Sequence, residues 1–239
     1  MKIGILGPGR LGCSLARLVE AAGHTVDLRR EGVPQGDFLL LTVPDSRIAQ
    51  VAAALPLSDR PVLHCSGTTP VEVLRPHCPA GSFHPLMTFP GVEVAVPDLS
   101  GVPAAIAGDE EAVVVATQLA ETLLMRPIQV PGDRRLYHGA AVIAGNFATI
   151  LLAEASRLLA AAGVPEEDAP SLLAPLAIQS LRNAADRGPA QSLTGPIARG
   201  DESTLAGHRE AMKNAGFESL VPLYDAFVER GQALLLDEK

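Results

Sequence analysis

The chain opens MKIGILGPGRLG, and these twelve residues limit the fold more than any other stretch. A short apolar run, Ile3 to Leu6, leads straight into Gly7-Pro8-Gly9-Arg10-Leu11-Gly12. A helical pattern follows, with Leu11, Leu15, Leu18 and Val19 on one face. Strand, tight glycine turn and helix in that order form the dinucleotide-binding fingerprint in the context it requires. Gly7 permits the turn, Gly9 lets the backbone approach a pyrophosphate, and Gly12 lets the helix lie close to its strand. The helix start then offers unpaired N–H groups and the positive end of its dipole to phosphates. The motif is not a P-loop, because no Lys-Ser/Thr pair follows it.

The next strand, read over His24–Leu28, distinguishes between dinucleotides. A site for NAD wants a carboxylate at the end of that strand to accept hydrogen bonds from the ribose 2′-hydroxyl. Here the strand runs into Arg29-Arg30, and guanidinium forks suit a 2′-phosphate that a carboxylate would repel. Asp27 is the nearest acid, but it lies inside the strand and points away from Val26 and Leu28. The sequence therefore predicts NADP(H), held by Gly7, Pro8, Gly9, Arg10, Leu11, Gly12, Arg29 and Arg30. The alternative is that both arginines are solvated charges at a strand end.

Strand and helix signals alternate as far as residue 130. Phe38–Val43 is an unbroken apolar run, as expected for a central parallel strand. Pro61–Cys65, Gly81–His84, Val102–Ala107 and Pro127–Val130 read as further strands, with helices at 48–55 and 110–124. After Pro131-Gly132-Asp133 the strand signals stop. One Ala- and Leu-rich helix over 134–162 ends at Gly163 and Pro165, and helices are predicted at 166–186, 201–215 and 217–236. The expectation is an α/β protein: a Rossmann-type, doubly wound parallel sheet over 1–132, then an all-helical domain over 133–239. The long helix is apolar nearly all round and must be surrounded by protein, which predicts a homodimer built through the helical domain.

Composition narrows the function classes. A net charge of −8 argues against a nucleic-acid partner, which would need a broad basic surface. Neither a signal peptide nor an uninterrupted apolar stretch of membrane-spanning length is expected, although the helix around 139–162 is apolar for much of its length. Three scattered cysteines suit a reducing, cytoplasmic setting without a disulfide framework. His64-Cys65 and His77-Cys78 suggest zinc only superficially, since adjacent strand residues point to opposite faces and the spacing is wrong. No metal is expected.

The order of domains, together with GPGRLG at 7–12, LTVPDSRI at 41–48, HCSG at 64–67, FHPLMTF at 83–89, YHGAAVIAGN at 137–146 and LTGPIARGD at 193–201, resembles the 6-phosphogluconate dehydrogenase superfamily. That superfamily includes ketopantoate reductases, pyrroline-carboxylate reductases, β-hydroxyacid dehydrogenases and deazaflavin-dependent NADP reductases. More narrowly, the chain is similar to a family with a Rossmann-like domain followed by a domain of unknown function. The resemblance implies a reductase-like site. Superfamily reductases typically carry a lysine on the long helix with asparagines on later turns. Here that position holds His138, eight residues before Asn146.

In a doubly wound sheet, ligands sit beyond the carboxyl ends of the strands. Val43 and Pro44 are expected to wall the adenine and ribose side, with Ser66 or Gly67 nearer the nicotinamide. Pro44-Asp45 also reads as a turn and helix cap. His138 is a suitable proton donor near neutral pH, unless it is structural. Tyr137 lies on the other side of the helix and is the weaker candidate. Asn146 would orient an acceptor, or else bond a neighbouring backbone. Arg199 would clamp a substrate carboxylate or pair with Asp201, which would cap the next helix. His84 reaches the site from a strand end, and His208 can come from a partner subunit. The expected function is an NADP(H)-dependent oxidoreductase that adds hydride to the carbonyl or imine of a small, anionic metabolite, in the manner of ketopantoate reduction. Hydride exchange with another redox cofactor and non-catalytic dinucleotide sensing are the alternatives.

Overall fold

The apolar runs become the inner strands of one seven-stranded sheet in the computed structural model, which describes residues 1–91 and 93–236. The strands are β1 (Lys2–Leu6), β2 (Thr25–Arg29), β3 (Phe38–Leu41), β4 (Val62–His64), β5 (Ala80–Pro85), β6 (Pro103–Gly108) and β7 (Arg126–Gln129). They lie in the order β2-β1-β3-β4-β5-β6-β7. Helix α1 (Arg10–Ala21) crosses from β1 to β2, and the chain then returns past β1 to β3. Strand order thus reverses between β1 and β3, where open α/β sheets hold their ligands.

One pairing departs from the expected all-parallel sheet. β5 and β6 run antiparallel, in register from Gly81 opposite Gly108 to Pro85 opposite Ala104. A parallel return needs a crossover, usually a helix. Residues 86–102 supply none among those described, so β6 doubles back beside β5.

The two sheet faces carry separate cores. Ile3, Ile5, Phe38, Leu40 and Phe83 pack against Leu15 of α1 and Ala116 of α3 (Glu110–Thr122 in sequence, β6 to β7). Leu39, Leu41, Val62 and Ala80 face the other way, against Ile48 of α2 (Ile48–Ala54) and Leu74 of the 3₁₀ turn Val71–Leu74. By the two-residue alternation of strands, His64, Ser82 and His84 share this second face with Val62 and Ala80. It therefore turns polar toward the end of β4.

The predicted long helix runs from Arg134 to Ala161, as α4 (Arg134–Val142), a π turn (Ile143–Phe147) and α5 (Ala148–Ala161). The compact units divide after Gly145, not after residue 132. Residues 133–145, expected to open the helical domain, belong with the sheet because α4 is hydrogen-bonded to it. The second unit, 146–239, holds α5, α6 (Ala169–Arg187), α7 (Pro189–Ser192), α8 (Gly195–Arg199), α9 (Glu202–Asn214) and α10 (Val221–Leu236). Its core is small: Ala169, Ala190, Leu205, Met212, Val221 and Val228. Larger side chains are left in the open, among them Ile150 on α5 and Leu172, Leu176 and Leu181 on α6. Helix 134–161 is also long and apolar enough, by length and composition alone, to cross a membrane.

Candidate active site at the ends of the parallel strands

The glycine turn is built as its spacing requires. Gly7 adopts φ +121°, a region open chiefly to glycine, and its N–H donates to the Arg29 carbonyl at 2.9 Å. A Cβ on Gly7 would meet the Thr42 carbonyl group at 2.8 Å, so β1 and β3 converge here with no room for a side chain. A Cβ on Gly12 would lie 2.1 Å from the Gly7 oxygen and 2.6 Å from Thr42 Oγ1. Thr42 completes the junction by donating its hydroxyl to the Gly7 carbonyl at 2.7 Å. Gly9 differs, because a Cβ there would meet nothing within 4 Å. Its role is open approach from outside. It caps α1 without a side-chain acceptor, and no acid lies in the first turn, so the helix N–H groups face that space unneutralised. Pro8 and Leu11 are partly buried and Arg10 is exposed at the rim.

At the end of β2, Arg29 Nε donates to both carboxylate oxygens of Asp27, at 2.9 and 3.0 Å. The Gln35 N–H also donates to Asp27, at 2.7 Å, and the carboxyl is held below its usual range, chiefly by Arg29. Asp27 is thus occupied, while the two Nη groups of Arg29 remain outside this pair. Arg30 follows on the surface.

A second cluster forms beyond β4 and β5. Ser66 Oγ donates to Asp45 Oδ2 at 2.7 Å and accepts the N–H groups of Thr68 and Thr69 at 3.2 and 2.9 Å. Asp45 therefore does not cap α2 as the sequence suggested; it anchors the turn after β4. The Ser66 hydroxyl is committed inside that turn, which leaves Gly67 as the surface facing the site. Val43 is partly buried and Pro44 exposed at the matching end of β3.

Two imidazoles crowd Gly67. A Cβ on Gly67 would lie 2.7 Å from His138 Cδ2 and 2.9 Å from His84 Nε2. His84 Nδ1 shares a 2.8 Å hydrogen bond with the Tyr137 hydroxyl, and the His84 and His138 rings meet edge-on at 6.2 Å. Tyr137 was expected on the other side of the helix from the site. The structure brings both Tyr137 and His138 onto the β4–β5 end. Arg134, one turn earlier, donates from Nη1 to Ser82 Oγ and from Nη2 to the Ser66 carbonyl, both at 3.1 Å.

The sequence reading missed Arg134 and Ser82 as members of this cluster, placed Asp45 at the strand ends without its tie to Ser66, and considered His64 only as a metal ligand. A signal for Arg134 was present. A cation in the first turn of a helix opposes the dipole, so it calls for a specific partner elsewhere.

Burial dominates the electrostatics. His64 is fully enclosed; it accepts the Ser66 N–H at Nδ1 (3.2 Å), and its Nε2 is buried without a hydrogen-bond partner. Burial and then the Arg134 charge push His64 down to about 4 from 6.5. The same two causes, with His138 third, push His84 down to about 4. Both are neutral imidazoles at physiological pH. The unfolded chain takes up these protons near pH 6.5, before the folded one does, so stability is full above that value and drains as pH falls toward 4. Melting temperature is expected to drop between pH 7 and 5, and His84→Asn should flatten that slope. A profile level across the window would contradict the assignment.

The remaining candidates lie in the second unit. Asn146 is exposed within the π turn, a helix defect often found at functional sites. Arg199 ends α8 ahead of Gly200 (φ +64°). Asp201 caps α9 as expected, accepting from the Thr204 N–H at 3.1 Å and its hydroxyl at 2.7 Å. His208 bonds the Tyr224 hydroxyl at 2.8 Å. Among the described residues no three His, Cys, Asp or Glu side chains gather as a metal cage.

Comparison with known proteins agrees with this architecture. The family described as Domain of unknown function (DUF2520) matches residues 102–230. A Thermotoga maritima protein is 25% identical with TM-score 0.75, over 99% of each chain. A candidate NADP oxidoreductase from Bacteroides fragilis is 21% identical with TM-score 0.80, over 97% of this chain and 98% of that one. A Plasmodium falciparum pyrroline carboxylate reductase, solved with NADP bound, is 11% identical with TM-score 0.62, over 98% of each. At these identities the last two establish the fold. No curated protein matches.

Proposed function

The chain belongs to the DUF2520 family, and from that premise we propose that it is an NADP(H)-dependent oxidoreductase reducing the carbonyl or imine of a small acidic metabolite. The observation that carries this reading is the glycine turn. Gly7 and Gly12 are sterically obligatory there, Gly9 faces open space, and the bare start of α1 lies at the switch in strand order. Three positions in one turn meet the three separate demands of a dinucleotide-binding turn: a tight bend, open approach for a pyrophosphate, and close helix–strand packing. Neighbours of the same fold include proteins named for NADP, which supports the same reading.

The Gly7–Gly12 turn would hold the pyrophosphate, Val43 and Pro44 would flank the ribose, and Arg29 with Arg30 would hold a 2′-phosphate. Asp27 cannot serve a 2′-hydroxyl freely while Arg29 and Gln35 occupy it. When bound, the dinucleotide supplies the hydride. The chain supplies the proton, for which His138 beside Gly67 is the donor, with the neutral His84–Tyr137 couple next to it. From the sequence pattern alone, Asn146 would orient an acceptor and Arg199 would bind a carboxylate. Replacing Arg29 and Arg30 together by Ala is expected to weaken NADPH binding about 10–100-fold, the worth of one or two charge-assisted hydrogen bonds. NADH binding should change far less. Equal losses would defeat the NADP assignment.

The reading includes a homodimer through the helical unit. Ile150, Leu172, Leu176 and Leu181 are too large an apolar set to leave in water on a unit with so small a core. The ion pair Glu154–Arg157 on α5, at 2.7 Å, fits a helix among protein better than one among lipid. A second copy offers the same apolar face, as a two-fold interface requires. Sedimentation should give a dimer, and Leu176→Glu should shift it to monomer. A monomeric wild-type protein would contradict this part.

A further inference from the structure

We propose that Arg134 is the positioning residue of this site: by tying the turn after β4 to strand β5, it fixes where His84, Tyr137 and His138 meet Gly67. Only its consequence for turnover rests on the oxidoreductase reading.

The helix start sorts its two arginines. Asp133 caps α4 through the Arg135 N–H at 2.8 Å and binds the Arg135 guanidinium at 2.6 Å. That leaves Arg134 to turn inward, where its planar fork spans two elements, reaching Ser82 Oγ on β5 and the Ser66 carbonyl after β4. A lysine point charge cannot hold two such partners in one plane. Arg134 is partly buried, its Nε is buried with no hydrogen-bond partner, and it forms no ion pair among the described residues. A half-buried guanidinium without an ion-pair partner is costly, and a residue serving only to join two segments would not need charge.

The charge is directed at the imidazoles. The groups facing His84 are Arg134, Tyr137 and His138 from α4, His64 from β4 and Asp45 from the turn before α2. Asp45 alone favours the imidazolium; Arg134 opposes it, and arginine keeps its charge at every accessible pH. Burial first, and the Arg134 charge with it, keep the His84 imidazole neutral, while the Arg134 fork holds the turn that both histidines touch; burial keeps the Tyr137 hydroxyl protonated against the pull of that charge.

The test is NMR of the protein without dinucleotide, following the His84 ring (assigned with His84→Asn) and the Gly67 amide in wild type, Arg134→Gln and Arg134→Lys. Wild-type His84 should stay uncharged down to about pH 4. In Arg134→Gln its midpoint should move upward and the Gly67 amide should shift. In Arg134→Lys the midpoint should stay near wild type, because charge remains, while the Gly67 amide still shifts. An unmoved His84 midpoint in folded Arg134→Gln would overturn the proposal, as would an unmoved Gly67 amide in Arg134→Lys. If Arg134→Gln does not fold, the lysine variant decides alone. Failure of wild type to bind NADPH would defeat the oxidoreductase reading and leave this experiment standing.

Discussion

Gly12→Ala is expected to abolish measurable dinucleotide binding and to destabilise the sheet unit by about 1–3 kcal/mol or more. The added methyl would sit 2.1 Å from the Gly7 carbonyl oxygen and 2.6 Å from Thr42 Oγ1. Both obstacles belong to the junction itself, one of them backbone, so neither can swing aside. Relief requires α1 to move off β1, and Leu15, fully buried against the sheet, resists that movement. The cost therefore falls on stability and on the placement of the helix N-terminus together. Thermal melting reads the first and calorimetry the second. Gly9→Ala is the control, since a Cβ at Gly9 meets nothing in the protein. It should melt like wild type and lose affinity only because the methyl obstructs the incoming pyrophosphate. A Gly12→Ala protein with wild-type stability and affinity would show that the turn is not the close-packed cradle described.

Gly67→Ala is expected to leave the fold intact and to lower turnover about 100-fold, the order that an ångström of misplacement can cost. The nearest atoms to a Cβ at Gly67 belong to the two imidazoles, His138 Cδ2 at 2.7 Å and His84 at 2.9 and 3.0 Å. Side-chain rings can give way where backbone cannot, so stability should change little. What changes is where the proton donor stands. The loss should appear in kcat, with KM for NADPH less affected, because the glycine turn at 7–12 is untouched. Unchanged kcat would remove His138 and His84 from the reaction.

The pattern of these residues also explains what could be read in advance. The sheet was legible because Ile3–Leu6 and Phe38–Leu41 are apolar throughout, as strands buried on both faces must be. The glycine turn was legible because its three demands are local. The reversal of β6 was not, since its direction depends on the path of residues 86–102 and not on the composition of the strand. Asp45 looked like a cap because capping is a local habit of that residue type, whereas its true partner, Ser66, lies 21 residues away. Arg134 and Arg135 are indistinguishable as letters. Asp133 captures the second, and only the fold shows that the first turns inward toward β4 and β5. Tyr137 and His138 are adjacent on a helix, where a simple wheel separates them. His84 reaches one and lies beside the other because it stands one residue before the end of β5.

The proposed reduction depends on NADP(H) binding at the Gly7–Gly12 turn. The most direct measurement is a calorimetric titration of the purified protein with NADPH and, separately, NADH; with no tryptophan in the chain, intrinsic fluorescence is a poor probe. NADPH should bind saturably with a micromolar Kd, and NADH more weakly by about tenfold or more. Binding of neither dinucleotide would contradict the proposed function.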